Sequence, residues 1–217
     1  MKALVTGAAG QLGLELTRVF GQDGEVVALP RARLDICDHE AVLHVTRETR
    51  PDVILNCAAY NDVDGAETDP GAAMQVNGFG VRSLAAAARE AGAVLVHYGT
   101  DFVFDGMAVH PYDESASPGP QSVYATSKLL GEWFARGAPH HYVLRVESLF
   151  GGGTEAVDPT VRPLGSTVDR MVDAMLAGRP VRGVTDRTVS PSYVPDVAAA
   201  TLSLVMGNAA VGLYHCV

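Results

Sequence analysis

Tyr124-Ala125-Thr126-Ser127-Lys128 sets a phenol and an ammonium four residues apart. On a helix that spacing puts both on one face, aimed at a single site. Such a pair is suited to proton transfer. A carbonyl that accepts a hydride also needs a proton, and a tyrosine of ordinary pKa, about 10, is a weak acid/base at neutral pH. A nearby lysine cation stabilises the phenolate, so Lys128 is expected to pull the phenol's pKa down. Thr100 lies 24 residues upstream of Tyr124 at the end of an apolar run, where its hydroxyl can hold a substrate oxygen.

Gly7-Ala8-Ala9-Gly10-Gln11-Leu12-Gly13 has the spacing G-x-x-G-x-x-G and lies between an apolar run and a helical pattern. Glycines there allow a tight turn and a close backbone approach to a pyrophosphate. The helix N-terminus adds unpaired N–H groups and a positive dipole end. Nucleotide binding is the expectation. The second apolar run ends Leu29-Pro30-Arg31-Ala32-Arg33, where an acidic residue would favour NAD. Arg31 or Arg33 either meets the 2′-phosphate of NADP or is a solvated surface charge, and the lean is to NADPH with NADH as the alternative. Asp35-Ile36 stands where it can contact the adenine amino group and ring face. Asn56-Cys57-Ala58-Ala59 offers small residues for a cofactor to lie against. Asn77 is either a polar helix residue or part of a hydrogen-bonded proton path.

These residues need a scaffold, and the chain supplies one by alternating short apolar runs with helical patterns, the mark of a parallel sheet wrapped by helices. The patterns predict strands at Lys2–Thr6, Glu25–Leu29, Val53–Cys57, Val94–Tyr98, Tyr142–Val146 and Val181–Val184. Helices are predicted at Gln11–Phe20, His39–Thr49, Ala72–Ala91, Val123–Arg136, Thr167–Leu176 and Val197–Met206. Residues 105–121 read as a loop, 151–165 as a mobile Gly- and Pro-rich segment, and Gly212–Val217 as the opening of a further strand. The fold class is therefore α/β, a Rossmann-type doubly wound parallel sheet. Residues 1–150 form an NAD(P)-binding domain, and 151–217 form a partial substrate-binding region interleaved with it.

Composition narrows the partners. The 217 residues are 47% hydrophobic, enough for a sizeable core, and carry a formal net charge of −9. An acidic chain is a poor non-specific partner for nucleic acid polymers or anionic membranes. No stretch approaches the roughly 18 uninterrupted apolar residues of a membrane span. Cys37, Cys57 and Cys216 are sparse and widely spaced, which suits reduced thiols in the cytoplasm. Asp62, Asp64 and Glu67 have no matching histidines, so no metal is expected. His97, His140 and His141 read as structural or surface residues.

Gly7–Gly13, Asn56–Ala59, Thr100-Asp101-Phe102-Val103-Phe104-Asp105-Gly106 and Tyr124–Lys128 resemble the extended short-chain dehydrogenases/reductases. The T-D-x-V-F-D-G segment, Val63-Asp64 with Ala66-Glu67, and Ser190–Asp196 are similar to the dTDP-4-dehydrorhamnose reductase family in particular. The resemblance implies Thr100, Tyr124 and Lys128 as the catalytic set. It places Gly7, Gly10, Gln11, Leu12, Asp35, Ile36, Ala58 and Asn77 at or near cofactor contacts. It also implies NADPH-dependent reduction of the 4-keto group of a dTDP-linked 6-deoxy sugar, with a nucleotide-sugar as partner and a homodimer left open. A sugar-nucleotide epimerase or dehydrogenase, or a regulatory subunit of the methionine adenosyltransferase type, uses a similar frame. The chain departs from the family at Gly99 (usually Ser), Phe102 (usually Tyr) and Glu147–Phe150, where an aromatic is frequent. Family members also continue several tens of residues past the position of Val217.

Overall fold

The computed structural model describes residues 1–152, 166–183 and 188–217. Six strands form one parallel sheet: β1 (Lys2–Thr6), β2 (Glu25–Leu29), β3 (Val53–Asn56), β4 (Val94–Thr100), β5 (His141–Val146) and β6 (Gly212–His215), in the order β2-β1-β3-β4-β5-β6. The Rossmann-type expectation holds. Strands of such a sheet are covered on both faces, which is why they read as continuous apolar runs. Alternate β1 side chains serve opposite cores. Ala3 and Val5 join Leu12, Leu16 and Phe20 of α1 (Gln11–Phe20) and Val194, Val197 and Ala198 of α8 (Val194–Met206). Leu4 joins Val42 of α2 (His39–Thr49) and Leu84, Ala87 and Ala88 of α5 (Val81–Ala91) on the other side.

Several predicted boundaries move. The helix predicted over Ala72–Ala91 is three pieces: α4 (Pro70–Met74), a π-helical segment Gln75–Gly80, and α5. A short α3 (Val63–Thr68), capped by the Asp62 carboxylate on the Gly65 N–H, precedes them. Strand β4 runs two residues past the predicted end, so that Thr100 is its last residue. Val181–Gly183 form no strand; they are exposed, and every strand of the described sheet already has its neighbours elsewhere. Val184 and all but Gly151 and Gly152 of segment 151–165 lie outside the described residues. Helices α6 (Val123–Ala135) and α7 (Thr167–Leu176) agree closely with expectation. Both α8 and β6 are built into the main core and sheet, so the second half of 151–217 is interleaved with the first region.

The buried charges of the interior sit between α6 and β5. Arg145 of β5 makes a two-pronged pair with Glu132 of α6, at 3.0 and 2.8 Å, and both side chains are almost wholly buried. The guanidinium also lies over the Phe104 ring, 4.9 Å from its centroid. This pair explains the glycine at 99. A Cβ on Gly99 would come within 2.6 Å of Glu132 Oε1, and that oxygen cannot retreat without leaving Arg145. Gly99→Ala is therefore expected to cost about 1–3 kcal/mol through overpacking, read as a lower urea midpoint. An unchanged midpoint contradicts the assignment.

Candidate functional site

The strand order reverses between β1 and β3, and ligands of open α/β sheets bind in the crevice at such a point, beyond the carboxyl ends of the strands. The ends of the strands are tied there by a buried polar ladder. Thr6 Oγ1 donates to Asn56 Oδ1 at 2.8 Å, and the Asn56 amide meets His97 Nδ1 at 3.1 Å. His97 is structural, as expected. Burial and then the charge of Lys128 hold its pKa well below the ordinary range, so the ring is neutral.

Gly7 follows β1 with φ of +63°, and a Cβ there would lie 2.5 Å from the Ala58 nitrogen. No side chain fits between the β1 turn and the end of β3. Gly10 caps α1 without any side-chain hydrogen bond, whereas Asp38 caps α2 and Ser122 caps α6. The first turn of α1 is thus served by no capping side chain, which suits an anion held by backbone N–H groups. Leu12 is committed to the core, so it can offer only its backbone. Ile36 is likewise buried in the second core, so its side chain is not turned to the adenine face as expected. Asp35 is half-exposed, and its carboxylate accepts the Cys37 N–H, which holds its pKa below the ordinary range. Arg31 is largely exposed with only a loose 3.9 Å pairing to Asp35, leaving it able to reach a phosphate. Ala58 and Ala59 are partly exposed beyond β3. The turn, the uncapped helix and the free arginine fit a dinucleotide.

Asn77 sits in the π-helical segment, a distortion common at functional sites. Its side chain is a brace. Oδ1 accepts the Tyr60 N–H at 2.8 Å, while Nδ2 donates to Tyr60 O at 3.0 Å and to Ser127 Oγ at 2.9 Å. The amide therefore fastens the segment after β3 to α6, next to Lys128. It holds a position and has no idle donor to offer a cofactor.

Helix α6 starts at the Ser122 cap, and Glu67 of α3 accepts the Val123 N–H at 2.7 Å. This fixes the phase in which Tyr124 and Lys128 enter the site. Tyr124 packs with Ala66, Ala73 and Phe102, the Phe102 ring meeting it edge-on at 5.9 Å. Burial pushes the phenol's pKa up to about 12, a hydrogen bond from Thr100 pulls it back in part, and Asp101 pushes it up again. The predicted lowering by Lys128 is not what this structure contains. The Lys128 ammonium donates to the Tyr98 carbonyl at 2.6 Å, and burial brings its own pKa down to about 8 against the supporting charge of Glu132. Desolvation outweighs the pair attraction, so the phenol here is a held proton donor.

The motifs therefore converge. Thr100 at the end of β4 and Tyr124 on α6 share a hydrogen bond, with Lys128 one turn behind. One relation escapes local pattern. Asp101, in a 3₁₀ turn Asp101–Val103, meets Glu147 just after β5, carboxyl to carboxyl. Only the departure from the family at 147 signals it.

The RmlD substrate binding domain family matches residues 1–217, the whole chain. The chain belongs to that family. It is 39% identical to the dTDP-4-dehydrorhamnose reductase of Streptomyces griseus over 98% of its own length and 69% of that protein's. It superposes on a dTDP-4-dehydrorhamnose reductase of Clostridium acetobutylicum with a TM-score of 0.90 at 35% identity, covering 100% of this chain and 74% of that one. The corresponding enzyme of Bacillus anthracis, solved in complex with NADP, gives 0.89 at 31% identity, covering 99% and 73%. The chain spans about two thirds of the length of the curated relatives it matches. Among the described residues no helix is long and apolar enough to cross a membrane, and no group of three or more His, Cys, Asp or Glu is placed to hold a metal ion.

Proposed function

We propose that this chain carries out NADPH-dependent reduction of the 4-keto group of a dTDP-linked 6-deoxy sugar, as a dTDP-4-dehydrorhamnose reductase does. The observation that carries it is the hydrogen-bonded Thr100–Tyr124 pair at the strand ends, set beside the Gly7 turn in a member of this family. The backbone of Gly7, Gly10, Gln11 and Leu12 holds the pyrophosphate. Arg31 meets the 2′-phosphate, and Ala58 and Ala59 leave room for the cofactor to lie flat. Asp35 is left for the adenosine end. NADPH, when bound, supplies the hydride.

The protein's part is to place and discharge a proton. Thr100 and Tyr124 aim two hydroxyls at the oxygen where negative charge develops, and Tyr124 gives up its proton there. Lys128, buried and charged below about pH 8, steadies the phenolate that remains. Asn77 keeps α6 in register with the segment after β3. Residues 1–150 form the cofactor domain, and 151–217 contribute to the sugar side. The site belongs in the cytoplasm, with a nucleotide-sugar as partner. A second copy of the chain is compatible with this reading and is not needed by it.

The test is isotopic. With NADPH deuterated at the transferring position, the product sugar is expected to gain one deuterium at C4. A sugar inverted at C4 without label indicates an epimerase, and no product at all contradicts the proposal.

A further inference from the structure

Two carboxyls beside the Thr100–Tyr124 pair have no part in the mechanism above. Thr100 Oγ1 donates to Asp101 Oδ1 at 3.3 Å, and the Asp101 carboxyl hydrogen-bonds that of Glu147. Glu147 is almost wholly buried. Its Oε2 accepts the Ser190 N–H at 2.7 Å, Ser148 Oγ approaches Oε1 at 3.3 Å, and its backbone is clamped to Ser192 on both sides. Two carboxyls in contact cannot both ionise cheaply, so one proton between them is the stable state. We propose that Asp101 and Glu147 share one proton, and that this proton passes through the Thr100 hydroxyl to recharge Tyr124 after it has protonated the substrate.

The proposal rests on the reductase reading and adds a proton source to it. The step balances. Asp101 O–H breaks and its proton goes to Thr100 Oγ1; the proton already on Thr100 goes to the Tyr124 phenolate. The products are the neutral phenol and a fully ionised carboxyl pair, which takes its next proton from water. Thr100 has one hydroxyl proton and two possible acceptors, Asp101 and Tyr124, which is the arrangement a relay needs. Asp101 and Glu147 act through Thr100 and are positioning residues.

The surrounding charges support one direction of titration. Burial, followed by the charge of Glu147, pushes the pKa of Asp101 up to about 7. Facing the pair among the described residues are the Tyr124 phenol and, one turn on, Lys128. Arg145 is committed to Glu132 and has His215 at 3.4 Å. An acid with a raised pKa keeps its proton below that value and loses it as pH rises through it, so the relay is loaded below about pH 7 and empties above.

Two readouts test this. Infrared difference spectra of the full chain should show a protonated carboxyl that disappears near neutral pH, and that is missing in Asp101→Asn. In Glu147→Gln the repelling charge is gone, so the band should disappear at lower pH. The alkaline fall in kcat should move acid with it, with KM unchanged; a shift of about one unit gives a tenfold lower kcat above both values. A chain with no carboxyl titrating between pH 6 and 8 overturns the proposal whatever its activity. So does a Glu147→Gln protein that folds normally and keeps the parent pH profile. A parent that shows the band but reduces no keto sugar contradicts the reductase reading, and the shared proton stands on the band.

Discussion

Tyr124→Phe is expected to lower keto-sugar-dependent oxidation of NADPH by about a hundred- to ten-thousand-fold, the range in which a positioned general acid contributes. The substitution removes one oxygen and nothing else. The ring keeps its packing with Ala66, Ala73 and Phe102, so folding and cofactor affinity should be preserved, and the loss should fall on kcat. Because the phenol is held near pKa 12, the parent carries this proton throughout the neutral range. The acid is therefore not limited by its own ionisation. Stopped-flow rates with equal cofactor occupancy make the comparison. A variant that retains more than about a tenth of parental kcat would place the proton donor elsewhere, since so small a loss is below the range for general-acid catalysis.

The second large effect is on stability. Glu132→Leu is expected to cost about 3–5 kcal/mol, the range for breaking a buried ion pair and stranding one charge. That is a large share of a folding free energy of about 5–15 kcal/mol. The cause is local: Arg145 would keep a guanidinium in the core, with Phe104 below it and only His215 at 3.4 Å to receive a hydrogen bond. Adding Arg145→Met should recover most of the loss, because a matched apolar pair needs no partner charge. Urea unfolding of the single and double variants decides it. A single variant within about 1 kcal/mol of the parent contradicts the account of the α6–β5 contact, as surface pairs are worth no more than that.

Local pattern was enough for much of the scaffold. The limits of β1, α1, β2 and α2 agree with the sequence because each is a short apolar run or an amphipathic turn pattern bounded by Gly, Pro or a capping residue. The glycine turn and the Tyr124–Lys128 pair were legible for the same reason: their spacing is local and their chemistry restricts the residue types. The π-helical segment was not, since Gln75–Gly80 has an ordinary helical composition and only the brace from Asn77 to Tyr60 and Ser127 reveals its use. Glu132–Arg145 and Asp101–Glu147 join distant segments, and nothing in either segment alone names its partner. The fate of Lys128 was misjudged because spacing gives proximity, while burial and the Tyr98 carbonyl decide what the ammonium does.

The most direct measurement is the stoichiometry of NADPH oxidation by this chain with a dTDP-4-keto-6-deoxy sugar. One NADPH consumed for each sugar reduced, and loss of that consumption in Tyr124→Phe, is the predicted result. NADPH that binds tightly and stays unoxidised when the keto sugar is added would contradict it.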